Sequence, residues 1–219
     1  MDRIVVNEPT IAAELARTEI PKQHYDVLQE LGQCYAALAD YDRARTCYRQ
    51  AAVIAPAEPG PYVGLGLLAV QEGLPDAGRD FFETAVEIRH DCADAYAGLA
   101  VVYQKTGVYH LALEMYLKCL ELNTDNLVAL LGLFQTSCQM GTFAKVIFYL
   151  EVYLEKHPGD TSVLFCLATL YAREGQFEQA RQSLTDVLAL EPHKDEAARL
   201  LGDVEKQMVR TLPQGSVSQ

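Results

Sequence analysis

ADAYAGLAVVYQKTGVYHLALEMYLKCLELNTDN, residues 93–126, decides the fold. In its first half Tyr96, Leu99, Ala100 and Tyr103 stand three, four and seven residues apart, which puts them on one face of a helix. Gly107 follows where a helix ends in a left-handed residue, a conformation glycine adopts without strain. Tyr109, Ala112, Tyr116 and Cys119 then repeat the pattern, so the stretch predicts two amphipathic helices joined by a short turn.

The same arrangement recurs on both sides. Leu31, Leu65, Leu99, Leu133 and Leu167 are each 34 residues apart, and five repeats follow from them: 25–58, 59–92, 93–126, 127–160 and 161–194. A fixed period of this size means one supersecondary element stacked into an array, whose core is built repeat by repeat. Gly73, Gly107, Gly141 and Gly175 mark the turn inside four of the repeats. Pro56, Pro158 and Pro192 close three of them, as proline does just past a helix. Small residues (Gly32, Gly66, Ala100, Ala168) recur at the eighth position, and Ala44, Gly78, Ala112 and Ala180 at the twentieth. Bulky Tyr48, Phe82, Tyr116, Leu150 and Leu184 hold the twenty-fourth.

Small positions facing large ones in this order resemble the tetratricopeptide repeat, over residues 25–194. The resemblance implies an all-α fold, a right-handed superhelical solenoid of antiparallel helix pairs whose first helices line a concave groove. Repeat 4 departs from the pattern: Phe134 replaces the small residue and Ser137 the aromatic, while Val146 and Tyr153 replace small residues of the second helix. Overpacking of this kind costs about 1–3 kcal/mol unless compensated, so repeat 4 is expected to pack at an altered angle. Residues 1–24 form an extension with a short amphipathic helix over 10–20, ending at Pro21. Residues 195–210 read as a capping helix, and 211–219, rich in Pro, Gly, Ser and Gln, as a disordered tail.

Composition narrows the function. Thirty acidic against 18 basic side chains give a formal charge of −12, which repels phosphate backbones and anionic membrane surfaces and favours partners with basic patches. No apolar run approaches membrane-spanning length, so membrane insertion is not expected. The six cysteines form no C-x-x-C pair and sit mostly inside apolar helical patterns, which points to reduced thiols and a cytoplasmic setting. The histidines are scattered, no Gly-rich phosphate loop lies between a strand and a helix, and His90-Asp91-Cys92 reads as a linker rather than a nucleophile–base geometry. An enzyme, a metal site or a bound cofactor is not expected.

What the chain holds is therefore expected to be a protein or peptide, with an apolar or basic segment. By the resemblance, the groove is lined by positions 2, 5, 9, 12 and 13 of the first helices. Those positions place Gln29, Gln33, Val63, Leu67, Val70, Val101, Gln104, Leu131, Gln135, Phe165 and Thr169 there. Family members that clamp chaperone tails need Lys, Asn and Arg at positions where this chain has Gln29, Gln33, Gly64, Asp94 and Gly98, so that mode is disfavoured. Gly64, Gly98 and Gly132, again 34 apart and inside helices, imply a close approach to the backbone, by a neighbouring helix or by a ligand in the groove. The second helix of repeat 4 is apolar nearly all round, and Phe148 and Val152 are expected outside, as a patch for self-association into a homo-oligomer or for docking of the N-terminal helix. The expected function is a non-catalytic interaction scaffold or adaptor. The alternatives are a dedicated secretion or assembly chaperone masking an apolar client segment, and a self-assembling scaffold on an organelle or membrane-protein surface.

Overall fold

The computed structural model describes residues 21–211, and side chains from residue 24 to residue 210. The helix expected over 10–20 and the tail from 212 lie outside the described residues. Eleven helices and no strand are present among them. They are α1 Pro21–Ala37, α2 Tyr41–Ile54, α3 Gly60–Gln71, α4 Pro75–Ile88, α5 Ala93–Lys105, α6 Tyr109–Leu122, α7 Leu127–Met140, α8 Ala144–Lys156, α9 Thr161–Arg173, α10 Phe177–Leu190 and α11 Asp195–Thr211. Contacts divide the described residues into two bodies, one up to Asn123 and one from Thr124 on.

Local chemistry fixes the helix ends. Asp40, Asn126 and Asp160 accept hydrogen bonds from backbone N–H groups in the first turns of α2, α7 and α9. Pro75 opens α4, where a missing N–H leaves no bond unmade. The first helices of repeats 2 to 5 end through Gly73, Gly107, Gly141 and Gly175, all at φ between 70° and 79°. In repeat 1 the same place is taken by Ala39 at φ 58°, a residue that carries a Cβ into the left-handed region. The next residue's N–H reaches back in each case; Leu74 donates to Ala69 O and Val108 to Tyr103 O, both at 2.8 Å.

In the first body, α1 with α2, α3 with α4 and α5 with α6 form the pairs, and α1, α3 and α5 also adjoin one another side by side. The core runs between them, through Ala44, Tyr48, Leu65, Leu68, Phe82, Leu99 and Tyr116. Its joints are aromatic wedges. A Cβ added to Gly32 falls 2.5 Å from the Tyr48 ring, and one added to Gly64 falls 2.6 Å from it. Phe82, 0% exposed, sits in the same way between Gly66 and Gly98. Each ring therefore fills a slot made by a glycine of its own repeat and a glycine of the next. Of the two readings of the 34-residue glycine series, the structure answers for Gly64 and Gly98: the second-helix ring of the preceding repeat takes the space, leaving none for a ligand.

One position departs from the repeat rule. Leu31 holds the ruler position, yet it is 41% exposed while Leu65, Leu99, Leu133 and Leu167 are 0–6% exposed. The surface that later repeats bury against the preceding second helix is, on α1, covered by no other helix among the described residues.

The second body holds repeats 4 and 5 and α11. There α9 pairs closely with α10, and α10 with α11, but α7 and α8 pack far less extensively. The cause is legible in repeat 2, where a Cβ on Gly78 would stand 3.2 Å from Gly66 O and 2.7 Å from Val70 Cγ2. Positions 8 and 20 must both be small for that approach, and in repeat 4 they are Phe134 and Val146. Val146 is fully buried all the same, and so are Thr136 and Ser137, whose hydroxyls find no partner. α11 closes the array with Ala197 and Val204 turned inward.

Candidate functional site

The open face of α1, α3 and α5 is built by side chains one helical turn apart. On α3, Leu67 is 49% exposed and Val63 half-buried; on α5, Val101 is half-buried. Gln33 on α1 is exposed. These four keep accessible surface on one layer of helices, because their partners α2, α4 and α6 lie behind it.

Other residues assigned to this face have internal work. Val70 is a correction: it is 9% exposed, and its Cγ2 lies where α4 comes closest at Gly78, so it belongs to the helix-pair contact. Gln29 donates from Nε2 to Tyr25 Oη at 3.3 Å and packs against the backbone of Gly60, which ties α1 to the start of repeat 2. Gln104 Oε1 accepts from the Tyr116 hydroxyl at 2.6 Å, bracing α5 on α6. Period counting identified the helix face but carried no information on which polar ends were already engaged.

The second body presents a comparable surface by itself. Leu131 on α7 and Phe165 on α9 are half-buried, and Gln135 is exposed. Lys194 Nζ stands 5.7 Å from the centre of the Phe165 ring, a cation–π contact that leaves the ring partly accessible. Thr169, half-buried, turns its hydroxyl back to Phe165 O at 2.8 Å. On α8, Phe148 is 57% exposed and meets Tyr149 edge-on at 5.3 Å. Val152, expected outside beside it, is only half-buried.

Charge sits elsewhere. Arg45 bonds Glu72, Arg89 bonds Glu58 at 2.7 Å, and Lys156 bonds Asp125 at 3.2 Å, each near the turns between helices. Such exposed pairs contribute at most about 1 kcal/mol each, and they tie successive repeats together. All six cysteines are free thiols. Burial pushes the Cys119 thiol up to about 12 and the Cys166 thiol up to about 11, away from the thiolate form that nucleophilic chemistry requires. Among the described residues no three His, Cys, Asp or Glu side chains converge as a metal site, and no helix is long and apolar enough to cross a membrane.

Sequence models described as tetratricopeptide repeat match residues 25–58, 93–126, 149–182 and 167–205, together more than half of the chain. No curated protein matches the sequence. Among solved structures the chain is similar to pilF of Pseudomonas aeruginosa, at 18% identity over 89% of this chain and 95% of that one, with a TM-score of 0.67. It is also similar to MamA, at 20% identity over 80% and 95% with a TM-score of 0.60. A third is YrrB, described as a TPR protein with an unusual peptide-binding site, at 18% identity over 91% and 97% with a TM-score of 0.60. At these identities the likenesses bear on the fold alone. With the paired helices, the left-handed glycine turns and the small-to-large packing positions in agreement, the chain belongs to the tetratricopeptide repeat family.

Proposed function

We propose that the chain is a non-catalytic, cytoplasmic interaction scaffold that takes an apolar peptide or helix on the open face of its first helices. The observation that carries this reading is Leu67, a large apolar side chain 49% exposed on that face and flanked by Val63 and Val101. An apolar side chain so placed gains free energy only when a partner covers it. The family fold supports a scaffold role, the peptide-binding site named for YrrB supports a peptide ligand, and the free thiols agree with a reducing compartment.

The test is capture from a cell extract by wild type and by Leu67→Glu, followed by site-specific crosslinking from position 67 to identify what is held. Loss of one captured protein with helical content unchanged supports the reading. Undiminished capture by the variant moves binding to another surface. Recovery of a single stoichiometric client selects the alternative of a dedicated chaperone.

A second reading rests on Phe148, whose ring is more exposed than any aromatic side chain of the buried core. Self-association through α8 gives that ring a cover, and a homo-oligomer formed in this way fits a self-assembling scaffold.

A further inference from the structure

The sequence of α8 works against its own helix. Along Ala144–Lys156, the residues Val146, Ile147, Phe148, Tyr149, Val152 and Tyr153 are β-branched or aromatic. Such side chains lose freedom against the preceding turn of a helix and suit a strand better. The first turn brings no help. Phe143 stands at the N-cap without a side-chain hydrogen bond, whereas Asp40, Asn126 and Asp160 cap α2, α7 and α9. The first turn holds no acidic residue, and Lys145 puts a positive charge at the positive end of the helix dipole.

A helix this weak by itself depends on its neighbours, and α8 is held thinly. Its packing on α7 is the sparsest within any of the five repeats, because Phe134 and Val146 keep the two backbones apart. Its packing on α9 is also slighter than that of α2 on α3 or of α4 on α5. The side chains it buries are Val146, Leu150 and Tyr153. Its polar ties gather toward the C-terminal half. Glu151 accepts from the Tyr171 hydroxyl, the Tyr153 hydroxyl donates to Asp160 Oδ2 at 3.1 Å, and Lys156 Nζ stands 3.2 Å from Asp125 Oδ1.

We propose that α8 is a labile element built into the second body, which unfolds locally while α9, α10 and α11 stay folded. Opening bares Val146, Leu150 and Tyr153 and frees residues 146–154, a strand-forming run of the kind that pairs with other chains when it is accessible. The closed array does not present that run.

Hydrogen exchange of the full-length chain tests this, at a dilution where light scattering finds a monomer. Mass spectrometry follows peptides from the centre of α8 and from α10. The reference is α10 because it belongs to the same body and packs closely on both α9 and α11. The expected result is exchange at least about a hundredfold faster in α8 than in α10. Lys145→Glu/Phe148→Ala then improves the dipole charge and the helix propensity at two exposed positions and leaves every buried side chain in place. It should slow exchange in α8 by about fivefold or more and leave α10 unchanged. Equal exchange of the two helices in wild type overturns the proposal, since the body then opens as a whole. Fast exchange in α8 that the double variant does not slow overturns it as well, because the opening then does not depend on the helicity of α8. A double variant that slows both helices alike overturns it too, because α8 then opens together with α10.

Discussion

Gly98 tests the wedge joints, because two effects of opposite sign meet at it. Replacing a glycine inside a helix with alanine gains about 1 kcal/mol from backbone entropy and propensity. At Gly98 the new methyl group meets the Phe82 ring, with Cδ1 and Cζ at 2.5 Å where carbon atoms settle at about 3.5–4.0 Å. The ring has to retreat by about 1 Å. It is 0% exposed, and its other face lies against Gly66, where an added Cβ would stand 2.7 Å away, so there is no slack. Overpacking costs about 1–3 kcal/mol, and the trapped ring argues for the upper half, leaving Gly98→Ala destabilising by about 1–2 kcal/mol. In a Phe82→Leu background the obstruction is gone, and the same substitution should stabilise by up to about 1 kcal/mol. Urea unfolding of the four proteins, read as midpoint with the slope held in check, gives a coupling of about 2–3 kcal/mol. Gly202 in α11 is the control: nothing lies within 4 Å of its Cβ position, so Gly202→Ala should stabilise by about 1 kcal/mol. A coupling near zero, with Gly98→Ala as stabilising as Gly202→Ala, refutes the wedge.

Other measurements probe separate features. Ala39→Gly removes a Cβ from the left-handed region at φ 58° and should raise stability by about 1 kcal/mol in a thermal melt; a loss would mean that Ala39 is not strained. The Cys119 thiol is raised by burial from 9.0 to about 12, so the unfolded chain gives up that proton first. Its stabilising effect is complete below pH 9 and lost as the pH rises from there toward 12, and Tyr116, raised by burial from 10.0 to about 12, adds to the same slope. Urea midpoints should fall on going above pH 9, less steeply in Cys119→Ala, and identical slopes would exclude that thiol as a cause. Phe148→Lys replaces a side chain 57% exposed and should leave the melt unchanged while converting any homo-oligomer to monomer by light scattering; a lower melting point would place the ring in the core.

The helix pairs were legible in the sequence because each one rests on local chemistry: apolar spacing, a glycine at the turn, a small residue opposite a large one. The looser pairing of α7 and α8 was foreshadowed by Phe134 and Val146, since two large residues at positions 8 and 20 cannot both enter a close contact. The exposure of Leu31 was not, because it depends on what precedes α1 and not on the residue or its spacing. The open face was only half legible. Spacing identified the face that holds Leu67, Val63 and Val101, but Val70 at the same kind of position turns toward α4, and whether Gln29 or Gln104 is free depends on hydrogen bonds that period counting does not reveal.

The shared wedges bear on how such a chain can lengthen. In repeats 1 and 2 the ring at position 24 is gripped by a glycine sixteen residues before it and another sixteen after it, as Phe82 is by Gly66 and Gly98. A window of 34 residues across these joints, wherever it starts, thus holds one place for a ring, one for a grip on the ring that follows it and one for a grip on the ring before it. Duplication by slippage at any phase adds a complete joint, with no privileged boundary to respect, whereas gain or loss of a few residues strands a ring without its slot. Length in this architecture is inherited in whole periods, and the starting point of the period is arbitrary.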